Sequence, residues 1–377
     1  MFLGHTLRRS AHSFILIIVL AATAAGQVWT GVERIVAIGD LHGDYAQFVA
    51  ALRSAGLVDG KTNWKGGKTF LVQAGDVLDR GAESRKIMDL LMKLEEQARR
   101  KGGQVIPLIG NHEAMNVYGD LRYVSEGEYA AFRDSNSEQV RAQFYARRLE
   151  ELKQSGSAQI AGPEYRLKWE TEHPLGFFEH RFHFGPNGRY GRWIRSHYAV
   201  VKINDTLFLH GGISPKYAAM PLDEINKRVL EELDDFQKLE GGVATDGAGP
   251  LWYRGLASDP DPSMELHVEA VLKQHQVSRI VIGHTPTPGA IHPRFGARVV
   301  VIDVGLSAYY GSRLACLLIE RGKAFAIHRG VRLELPRDPG APFLEYLKKA
   351  AALDPQPSPL AAQITELETA LAGASRN

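Results

Sequence analysis

Five apolar runs, each ending in glycine next to an aspartate, asparagine or histidine, constrain the fold more than any other feature of the sequence. Apolar and β-branched runs bounded by glycine are typical of buried strands. The polar ends of these runs include Asp40, Asp76, His112, His210 and His284, in the order IVAIGD, TFLVQAGD, VIPLIGNH, LFLHGG and IVIGHTP. Turn formation explains one or two such ends, but not five that all carry metal-binding side chains.

Helical patterns between these runs predict an α/β fold. Residues 84–99 place Ile87, Leu90, Leu91 and Leu94 at helical spacing, and residues 222–236 and 264–277 show similar patterns. Strands that alternate with helices form α/β layers, and ligands of such folds bind just beyond the carboxyl ends of the strands. The polar residues therefore lie where a binding site is expected.

We expect one catalytic domain over residues 33–332, interrupted at about 117–196 by an insert that caps the strand ends. Residues 126–152 are charged and helical in pattern, whereas residues 173–197 are aromatic and basic. We interpret FFEHRFHF, within the second part, as a half-buried strand rather than a second metal site. The tail, residues 333–377, carries no evident chemistry and predicts a final helix over 360–371.

The first 25 residues have the layout of a signal peptide. Arg8 and Arg9 precede an apolar run over 14–25 that ends in small residues. The strongly apolar part is shorter than the roughly 20 residues that cross a bilayer. We therefore predict export to the periplasm or the medium. The alternative is an uncleaved anchor, which is the one case in which we expect contact with a membrane.

Charge and cysteine content exclude several classes of protein. With 45 Lys and Arg against 43 Asp and Glu, the net charge is +2, so nothing favours a nucleic-acid binder held by bulk charge. Cys316 is the single cysteine of the sequence, which excludes an intrachain disulfide and a zinc ribbon. Its apolar surroundings, ACLLIE, predict a buried thiol. Any metal must then be held by oxygen and imidazole ligands.

Six residues at the strand ends are candidate metal ligands. Asp40 and His42 form an Asp-x-His pair whose side chains would share one side of a strand by period-two alternation. The complete set is Asp40, His42, Asp76, Asn111, His210 and His284. Oxygen and imidazole ligands favour manganese, which we expect, or iron or zinc. Two such ions, bridged by Asp76, would clamp a phosphate group and supply a hydroxide for in-line attack.

The residues beside these ligands suit phosphate-ester hydrolysis. His112 directly follows Asn111 and is a candidate general acid for the leaving group. Asp79 could orient His112 and keep it protonated. Arg80 could hold phosphate oxygens through its planar fork, and Arg254, in PLWYRG, is the candidate for a second phosphate-binding arginine.

Motifs in a fixed order make the chain resemble a known family. GDLHGD, GDVLDRG, GNHEAMN, HGGISP and GHTP occur in that order across roughly residues 35–329. They resemble the calcineurin-like metallophosphoesterases and, within them, the phosphoprotein phosphatase branch. GRWIRSH, PLWYRG and VIDVGLSAYYG point more closely to the Shewanella-like protein phosphatases.

The resemblance implies a four-layer α/β/β/α sandwich and a role for each motif residue. It implies that Asp76 is shared by two metal sites, with Asp40 and His42 at the first and Asn111, His210 and His284 at the second. It also implies that His112 and Asp79 form the acid pair, that Arg80 and Arg254 bind phosphate, and that Tyr309 lies at the substrate rim. We expect Asn111 to contact the substrate as well. Arg195 either lines an anionic groove or packs on Trp193.

Departures from the main eukaryotic pattern concern substrate choice and inhibitor response. Asp44 stands where glutamine is usual, the insert is longer, and no toxin-binding loop is recognisable. The leading hypothesis is a phosphatase acting on phosphoproteins or phosphopeptides, with the preference for Ser/Thr or Tyr phosphate open. Two alternatives are a small-molecule phosphoesterase, such as a dinucleoside polyphosphate hydrolase, and a non-catalytic phosphate-binding protein.

Overall fold

The computed structural model describes residues 27–157, 159 and 162–374. The predicted signal peptide or anchor, residues 1–25, lies outside the described residues. Within the part of the chain that is described, no helix is both long enough and apolar enough to cross a membrane.

Strands at the five predicted positions are confirmed, and others complete two sheets. In chain order the described strands are β1 (Val28–Trp29), β2 (Arg34–Ile38), β3 (Phe70–Gln73), β4 (Gln104–Pro107), β5 (Val200–Ile203), β6 (Thr206–Leu209), β7 (Arg279–Ile282), β8 (His292–Arg294), β9 (Val299–Val301), β10 (Ala315–Glu320), β11 (Lys323–His328) and β12 (Val331–Glu334). The first sheet has the order β12-β11-β10-β2-β3-β4, and the second has the order β1-β5-β6-β7-β9-β8.

Parallel strands in both sheets bring the candidate ligands to shared edges. β2, β3 and β4 are parallel, with Ile38 opposite Gln73 and Gln73 opposite Pro107. In the second sheet β6 and β7 are parallel, with Leu209 opposite Ile282. The carboxyl ends of parallel neighbours lie at one edge of a sheet. The polar residues that follow these strands are therefore gathered at two edges.

Helices flank the two sheets. In chain order the described α-helices are α1 (Tyr45–Ser54), α2 (Ser84–Arg99), α3 (Asn111–Tyr118), α4 (Glu126–Ala131), α5 (Ser137–Gln154), α6 (Pro163–Glu172), α7 (Phe177–Phe184), α8 (Arg189–Arg195), α9 (Leu222–Asp234), α10 (Gly255–Ser258), α11 (Asp261–His275), α12 (Ala341–Ala351) and α13 (Ala361–Ala374). The predicted helices over 84–99, 222–236, 264–277 and 360–371 correspond to α2, α9, α11 and α13. Their apolar stripes account for the agreement, as Ile87, Leu91 and Leu94 of α2 are fully buried.

A single hydrophobic cluster joins the two sheets. Val36 and Leu71 of the first sheet and Leu207 and Val281 of the second are fully buried members of this cluster. Apolar runs without polar alternation suit strands that are covered on both faces. The α/β prediction is confirmed, and two mixed sheets with their helices form the predicted α/β/β/α sandwich.

The insert differs from the prediction in two places. Residues 177–184, predicted as a strand, form α7, in which His180 and Phe184 are buried four residues apart on one helical face. An aromatic sequence of this kind has no clear period, and packing against Phe132 decides the outcome. The predicted helix over 126–152 is two helices, because Asp134 accepts a hydrogen bond from Asn136 N–H in the turn between them.

The C-terminal segment is packed on the body. β12 crosses the predicted boundary at residues 332–333 and pairs with β11. Phe343, Tyr346 and Leu347 of α12 are buried, and the Tyr346 hydroxyl donates a hydrogen bond to Ile291 O at 3.0 Å. Cys316 is buried in β10, as predicted.

Candidate metal centre

Asp40 and His42 lie in a turn beyond β2 rather than within the strand, which ends at Ile38. Strand alternation is therefore not what directs their side chains, and that part of the prediction is wrong. The turn is held by Leu41 N–H and His42 N–H, which both donate to Asp76 O, at 2.9 and 3.0 Å. The first two candidate motifs are thus tied together through their backbones.

Left-handed backbone is concentrated at this edge. The φ angles of His42, Asp76, Asp79, Arg80 and His284 lie between 42° and 70°. Such angles are costly for residues other than glycine, and they cluster at functional sites where surrounding contacts enforce them. Glycines provide the space around these turns, since a Cβ on Gly110 would collide with Asp76 and one on Gly283 would collide with Asp40.

Nε2 of His210 lies at the centre of one group of ligand atoms. It is 2.9 Å from Asn111 Oδ1, 3.0 Å from His284 Nδ1 and 3.2 Å from Asp76 Oδ2. The donor atoms of Asp76, His210 and His284 all lie within 4.8 Å of one another, and the three residues are buried. Residues from both sheets therefore meet at one point.

A second group shares Asp76 with the first. His42, Asp76 and His112 also have donor atoms within 4.8 Å of one another. Nε2 of His42 is 3.9 Å from Asp40 Oδ2 and 3.9 Å from Asp76 Oδ2. Asp40 is joined to the second sheet as well, because its Oδ1 accepts a hydrogen bond from His284 N–H at 3.0 Å. A carboxylate common to two groups has the placement expected of a bridging ligand.

Backbone carbonyls orient three imidazoles toward these groups. Nδ1 of His42 is 3.0 Å from Leu78 O, and Nδ1 of His210 is 2.8 Å from Ala74 O. Nε2 of His284 is 3.1 Å from Trp252 O. A ring nitrogen beside a carbonyl must carry the proton, so the other nitrogen presents a lone pair. This is the arrangement usual for histidines that bind metal.

The electrostatics of the cluster suit a cation. Burial, then the charges of Asp303 and Asp76, raise the pKa of Asp40 well above its usual value. Burial lowers the pKa of His42 to about 3 and that of His284 to about 2, so both rings are neutral and able to donate a lone pair. Burial alone would lower the pKa of His210, but the charge of Asp76 and its hydrogen bond raise it above its usual value. Buried carboxylates together with imidazoles fit a divalent ion, which would also offset the repulsion between carboxylates.

His112 and Asp79 form a tightly bonded pair beside the second group. Nδ1 of His112 is 2.5 Å from Asp79 Oδ2, and Asn116 Nδ2 donates to Asp79 Oδ1 at 2.9 Å. Burial alone would lower the pKa of His112, but the Asp76 charge and the bond and charge of Asp79 raise it above its usual value. The Nδ1 nitrogen is thus engaged, and Nε2 faces the cluster, 3.8 Å from Asp76 Oδ2.

Arg80 lies between the cluster and three tyrosines. Its guanidinium nitrogens are 3.4 Å from His42 Nε2 and 3.5 Å from His112 Nε2. Its Cζ atom is 5.0 to 5.5 Å from the ring centres of Tyr123, Tyr309 and Tyr310. We call these three residues the tyrosine rim. A cation over aromatic faces is held in place by them, and here its fork is directed toward the cluster, where an anion would bind.

The two remaining candidate arginines, Arg254 and Arg195, have different surroundings. Arg254 is exposed and donates to His284 O at 2.5 Å and to Thr285 Oγ1 at 3.2 Å, which places it next to a candidate ligand. Arg195 donates to Leu233 O at 2.8 Å and to Gly191 O at 3.1 Å, and it pairs with Asp234 at 3.0 Å. These bonds join α8 to α9, which favours a structural role for Arg195 over the predicted substrate groove.

Several residues at the site were not predicted, among them Glu113, Tyr310 and Tyr123. Glu113 is buried, and its carboxylate accepts hydrogen bonds from the N–H groups of Asp76, Val77 and Gly110 at 2.7 to 2.9 Å. Its position three residues after Gly110 is the helix-start pattern in which Glu bonds to free N–H groups, so a signal was present. Tyr310 adjoins the predicted Tyr309, whereas Tyr123 carries no local signal.

The fold and this site together define a metallophosphoesterase. The profile of the calcineurin-like phosphoesterase family matches residues 33–288. An uncharacterized protein of Schizosaccharomyces pombe is 31% identical over 79% of this chain and 80% of its own. Shewanella-like protein phosphatase 2 of Arabidopsis thaliana is 31% identical over 73% of this chain and 72% of its own.

A solved structure agrees with these relatives. The crystal structure of the cold-active protein-tyrosine phosphatase of a psychrophilic Shewanella species matches with a TM-score of 0.64 and 27% identity, over 82% of each chain. The chain belongs to the calcineurin-like phosphoesterase family and, within it, to the group of the Shewanella-like protein phosphatases. It is accordingly a phosphatase, a hydrolase of phosphoric monoesters, and the predicted resemblance is confirmed.

Proposed function

We propose that this enzyme is a two-metal phosphoprotein phosphatase with a preference for phosphotyrosine. The observation that carries the proposal is the tyrosine rim around Arg80. A guanidinium that can hold phosphate lies there beside aromatic faces that can hold the ring of a substrate tyrosine. The related crystal structure of a protein-tyrosine phosphatase supports the same substrate class.

The two ions would occupy the groups that share Asp76. Manganese is the ion we propose, because the donors are oxygen and imidazole without thiolate. Bound divalent ions polarise phosphoryl oxygens and supply a hydroxide for in-line attack at neutral pH. The residues proposed to hold them are Asp40, His42 and Asp76 at the first site, and Asp76, Asn111, His210 and His284 at the second.

The protein's own groups would place the phosphate and manage the proton. Arg80, near Nε2 of both His42 and His112, would hold phosphate oxygens, with Asn111 and Arg254 as further contacts. His112 would give its Nε2 proton to the leaving oxygen, because Asp79 engages Nδ1. General acids of this kind matter most when the leaving group is poorly acidic.

A matched substrate panel tests the proposal. Full-length enzyme loaded with manganese would be assayed on phosphotyrosine and phosphoserine peptides of one sequence, and on diadenosine tetraphosphate. We expect kcat/KM for the phosphotyrosine peptide to exceed the other two by about tenfold or more, the range that one well-placed contact provides. A preference for the nucleotide would support the small-molecule alternative. Two bound metals without hydrolysis of any of them would support the non-catalytic one.

A preference for phosphotyrosine could arise from binding of the substrate ring or from the fact that a phenol is a better leaving group than an alcohol. A variant of the tyrosine rim distinguishes these two causes. Tyr309 is 68% exposed, so Tyr309→Ala should fold normally. We expect KM for the phosphotyrosine peptide to rise while KM for the phosphoserine peptide stays constant. Leu266→Ala is the matched control, because Leu266 is 80% exposed on α11. Equal effects of the Tyr309 change on both peptides would contradict a rim that binds the ring.

Export is the second part of the proposal and rests on residues 1–25 alone. Their basic start, apolar run and small-residue end support cleavage outside the cytoplasm. Mass spectrometry of the protein recovered from periplasm or medium should show an N-terminus near residue 26. An intact N-terminus in the membrane fraction would instead indicate an anchor.

A further inference from the structure

Asp44 connects two parts of the site that are 264 positions apart in the sequence. Its Oδ1 accepts a hydrogen bond from Gln47 N–H at 3.0 Å, which caps α1. Its Oδ2 accepts a hydrogen bond from Ala308 N–H at 2.8 Å. One carboxylate thus joins the turn that carries His42 to the segment that carries two tyrosines of the rim.

The segment bound by Asp44 is a short 3₁₀ turn, Ala308–Tyr310. The Tyr310 ring lies 5.5 Å from the His42 ring, and Tyr309 and Tyr310 lie 5.2 and 5.0 Å from Arg80 Cζ. A groove of about 440 Å³ runs along it, lined by His42, Asp44, Arg80 and Tyr309 among others. The distance between this turn and Arg80 therefore determines where the aromatic ring of a substrate could bind.

Within the described residues, the other backbone hydrogen bonds of the turn are local, although the Tyr310 ring also contacts His42 and Arg80. The N–H groups of Tyr310 and Ser312 donate to Ser307 O, and that of Gly311 donates to Ala308 O, so these bonds close within the turn. The N–H of Ala308, by contrast, leaves the turn and reaches Asp44. Tyr309 is largely exposed and adds little packing. The first N–H groups of a helical turn require an outside acceptor, and Asp44 provides it.

We propose that Asp44 is a positioning residue that holds Tyr309 and Tyr310 of the tyrosine rim at the distance from the phosphate site that suits an aryl phosphate. The inference rests on the proposed preference for phosphotyrosine and names the residue that sets it. Two N–H donors meet the Asp44 side chain, so it must offer two acceptors. A carboxylate does so, whereas an amide offers one acceptor and one donor group. Asparagine or glutamine at this position would lose one of the two bonds.

Asp44→Asn tests the proposal, because asparagine still caps a helix and the lost bond is then the one to Ala308. In the manganese-loaded full-length enzyme, we expect KM for the phosphotyrosine peptide to rise about threefold to tenfold, the effect of one hydrogen bond. KM for the phosphoserine peptide should rise less, because that peptide has no ring to place against Tyr309 and Tyr310. The ratio of the two KM values therefore reports the position of the turn. Hydrogen exchange at the Ala308 amide should accelerate by a similar factor.

Ala308→Pro removes the donor while leaving Asp44 intact. Ser307 has φ −68° and ψ 156°, which is compatible with a following proline, and the first position of a helical turn tolerates proline. We expect this variant to show the same change in peptide preference as Asp44→Asn. The double variant should be no worse than either single one, since both remove the same bond.

The outcomes separate this inference from the proposed function. If the wild-type enzyme shows no preference for phosphotyrosine, the proposed function fails, and amide exchange at Ala308 still reports whether Asp44 holds the turn. If the wild type prefers phosphotyrosine but the single variants keep that preference, the positioning role is overturned. Additive effects in the double variant would overturn it as well, because they would show that the two residues act independently.

Discussion

Asp76 is the residue on which both candidate metal sites depend. Its carboxylate belongs to both groups of donor atoms, and its Oδ1 accepts a hydrogen bond from His112 N–H at 3.0 Å. Asp76→Asn should therefore lower metal content and abolish turnover together, because an amide bridges cations poorly. Metal analysis and kcat on an aryl phosphate would measure both. Asp223→Asn, an exposed change in α9, is the control, and full metal content in the Asp76 variant would contradict the shared site.

A His112 variant should differ from the Asp76 variant in metal content, although both should lose turnover. With Nδ1 bonded to Asp79, its role is proposed to be proton donation, so His112→Asn should retain the metals and lose about 10² to 10⁴ in kcat. The loss should be larger for a phosphoserine peptide than for an aryl phosphate with an acidic phenol. His112 nevertheless belongs to one group of donor atoms. Metal loss equal to that of the Asp76 variant would identify it as a ligand.

Glu128 is a buried acid near the same pair. The Ser84 hydroxyl and the Asp79 N–H lie near its carboxylate and act to lower its pKa, but within the described residues neither of its oxygens has a partner in good hydrogen-bond geometry. Burial, and then the charge of Asp79, raise its pKa well above the usual 4.5. The folded protein therefore keeps this proton at pH values where the unfolded chain has lost it. As pH rises above about 4.5 the free energy of unfolding must fall, until the folded pKa is reached.

Glu128→Gln should remove this pH dependence, because glutamine has no proton to lose. From pH 5 to 8 the variant should gain stability relative to the wild type, by at most about 1.4 kcal/mol per pH unit. Urea unfolding at a series of pH values measures the difference. Glu126→Gln, an exposed change on the same helix, should follow the wild type. Parallel curves for the wild type and the Glu128 variant would show that Glu128 is ionised in the fold.

At the scale of elements, α7 attaches the insert to the catalytic body. Arg181 of α7 donates to Asn116 O at 2.5 Å and to Val117 O at 3.5 Å, at the carboxyl end of α3. The Asn116 side chain in turn donates to Asp79. The insert is thus in contact with the helix that begins at Asn111 and His112. A displacement of α7 would therefore disturb Asn116 and, through it, the pair formed by His112 and Asp79.

A substitution at Gly176, which precedes α7, tests whether the insert is packed rigidly against its surroundings. Its φ is 96°, and an added Cβ would collide with Tyr129 O. Gly156 also has a positive φ, of 70°, but nothing lies within 4 Å of an added Cβ. Gly156→Ala should cost about 1 kcal/mol in free energy of unfolding, from backbone strain alone. Gly176→Ala should cost about 2 to 4 kcal/mol, since the collision adds to the strain. Equal costs in urea unfolding would mean that the insert moves freely.

At the scale of the whole molecule, the C-terminal segment is packed against the rest of the fold. Tyr346 is buried and bonded to Ile291, which precedes β8 of the second sheet. Asp354, beyond α12, accepts hydrogen bonds from His328 Nε2 and Arg329 Nε at 2.9 and 2.8 Å. These contacts reach both sheets. The C-terminal segment, which carries no evident chemistry, is thus packed on the catalytic body, and we expect the two to unfold together.

Tyr346→Ala should lower the midpoint of one cooperative unfolding transition, at a cost of about 3 to 5 kcal/mol for a buried aromatic ring. Tyr346→Phe is the matched control and should cost about 1 kcal/mol, for the bond to Ile291 O. Calorimetry would follow the transition. A separate early transition, with the main one unchanged, would show that the tail folds on its own.

The sequence by itself predicted the five strands that lead into the site, the helices α2, α9, α11 and α13, and the candidate ligands. Each of these has a local signature, such as the apolar run and Gly-Asp of the Asp76 motif or the helical stripe of α2. The family follows from the same motifs, because their order along the chain is visible without coordinates. The prediction of a strand at α7 was wrong, since an aromatic sequence without a clear period takes its conformation from what it packs against. The helices α1, α3, α6, α8, α10 and α12 were not predicted.

Only the tertiary structure decided which of these side chains meet. The contact of Asp40 with His284 N–H, the bond of Asp44 to Ala308 and the closure of Tyr123 over Arg80 all join distant segments. It also decided which nitrogen of each histidine faces the centre and that Arg195 joins α8 to α9. The physical reason is that such contacts depend on how the sheets and the insert pack together. Local sequence sets the conformation of each segment, whereas burial of the shared core sets their relative positions.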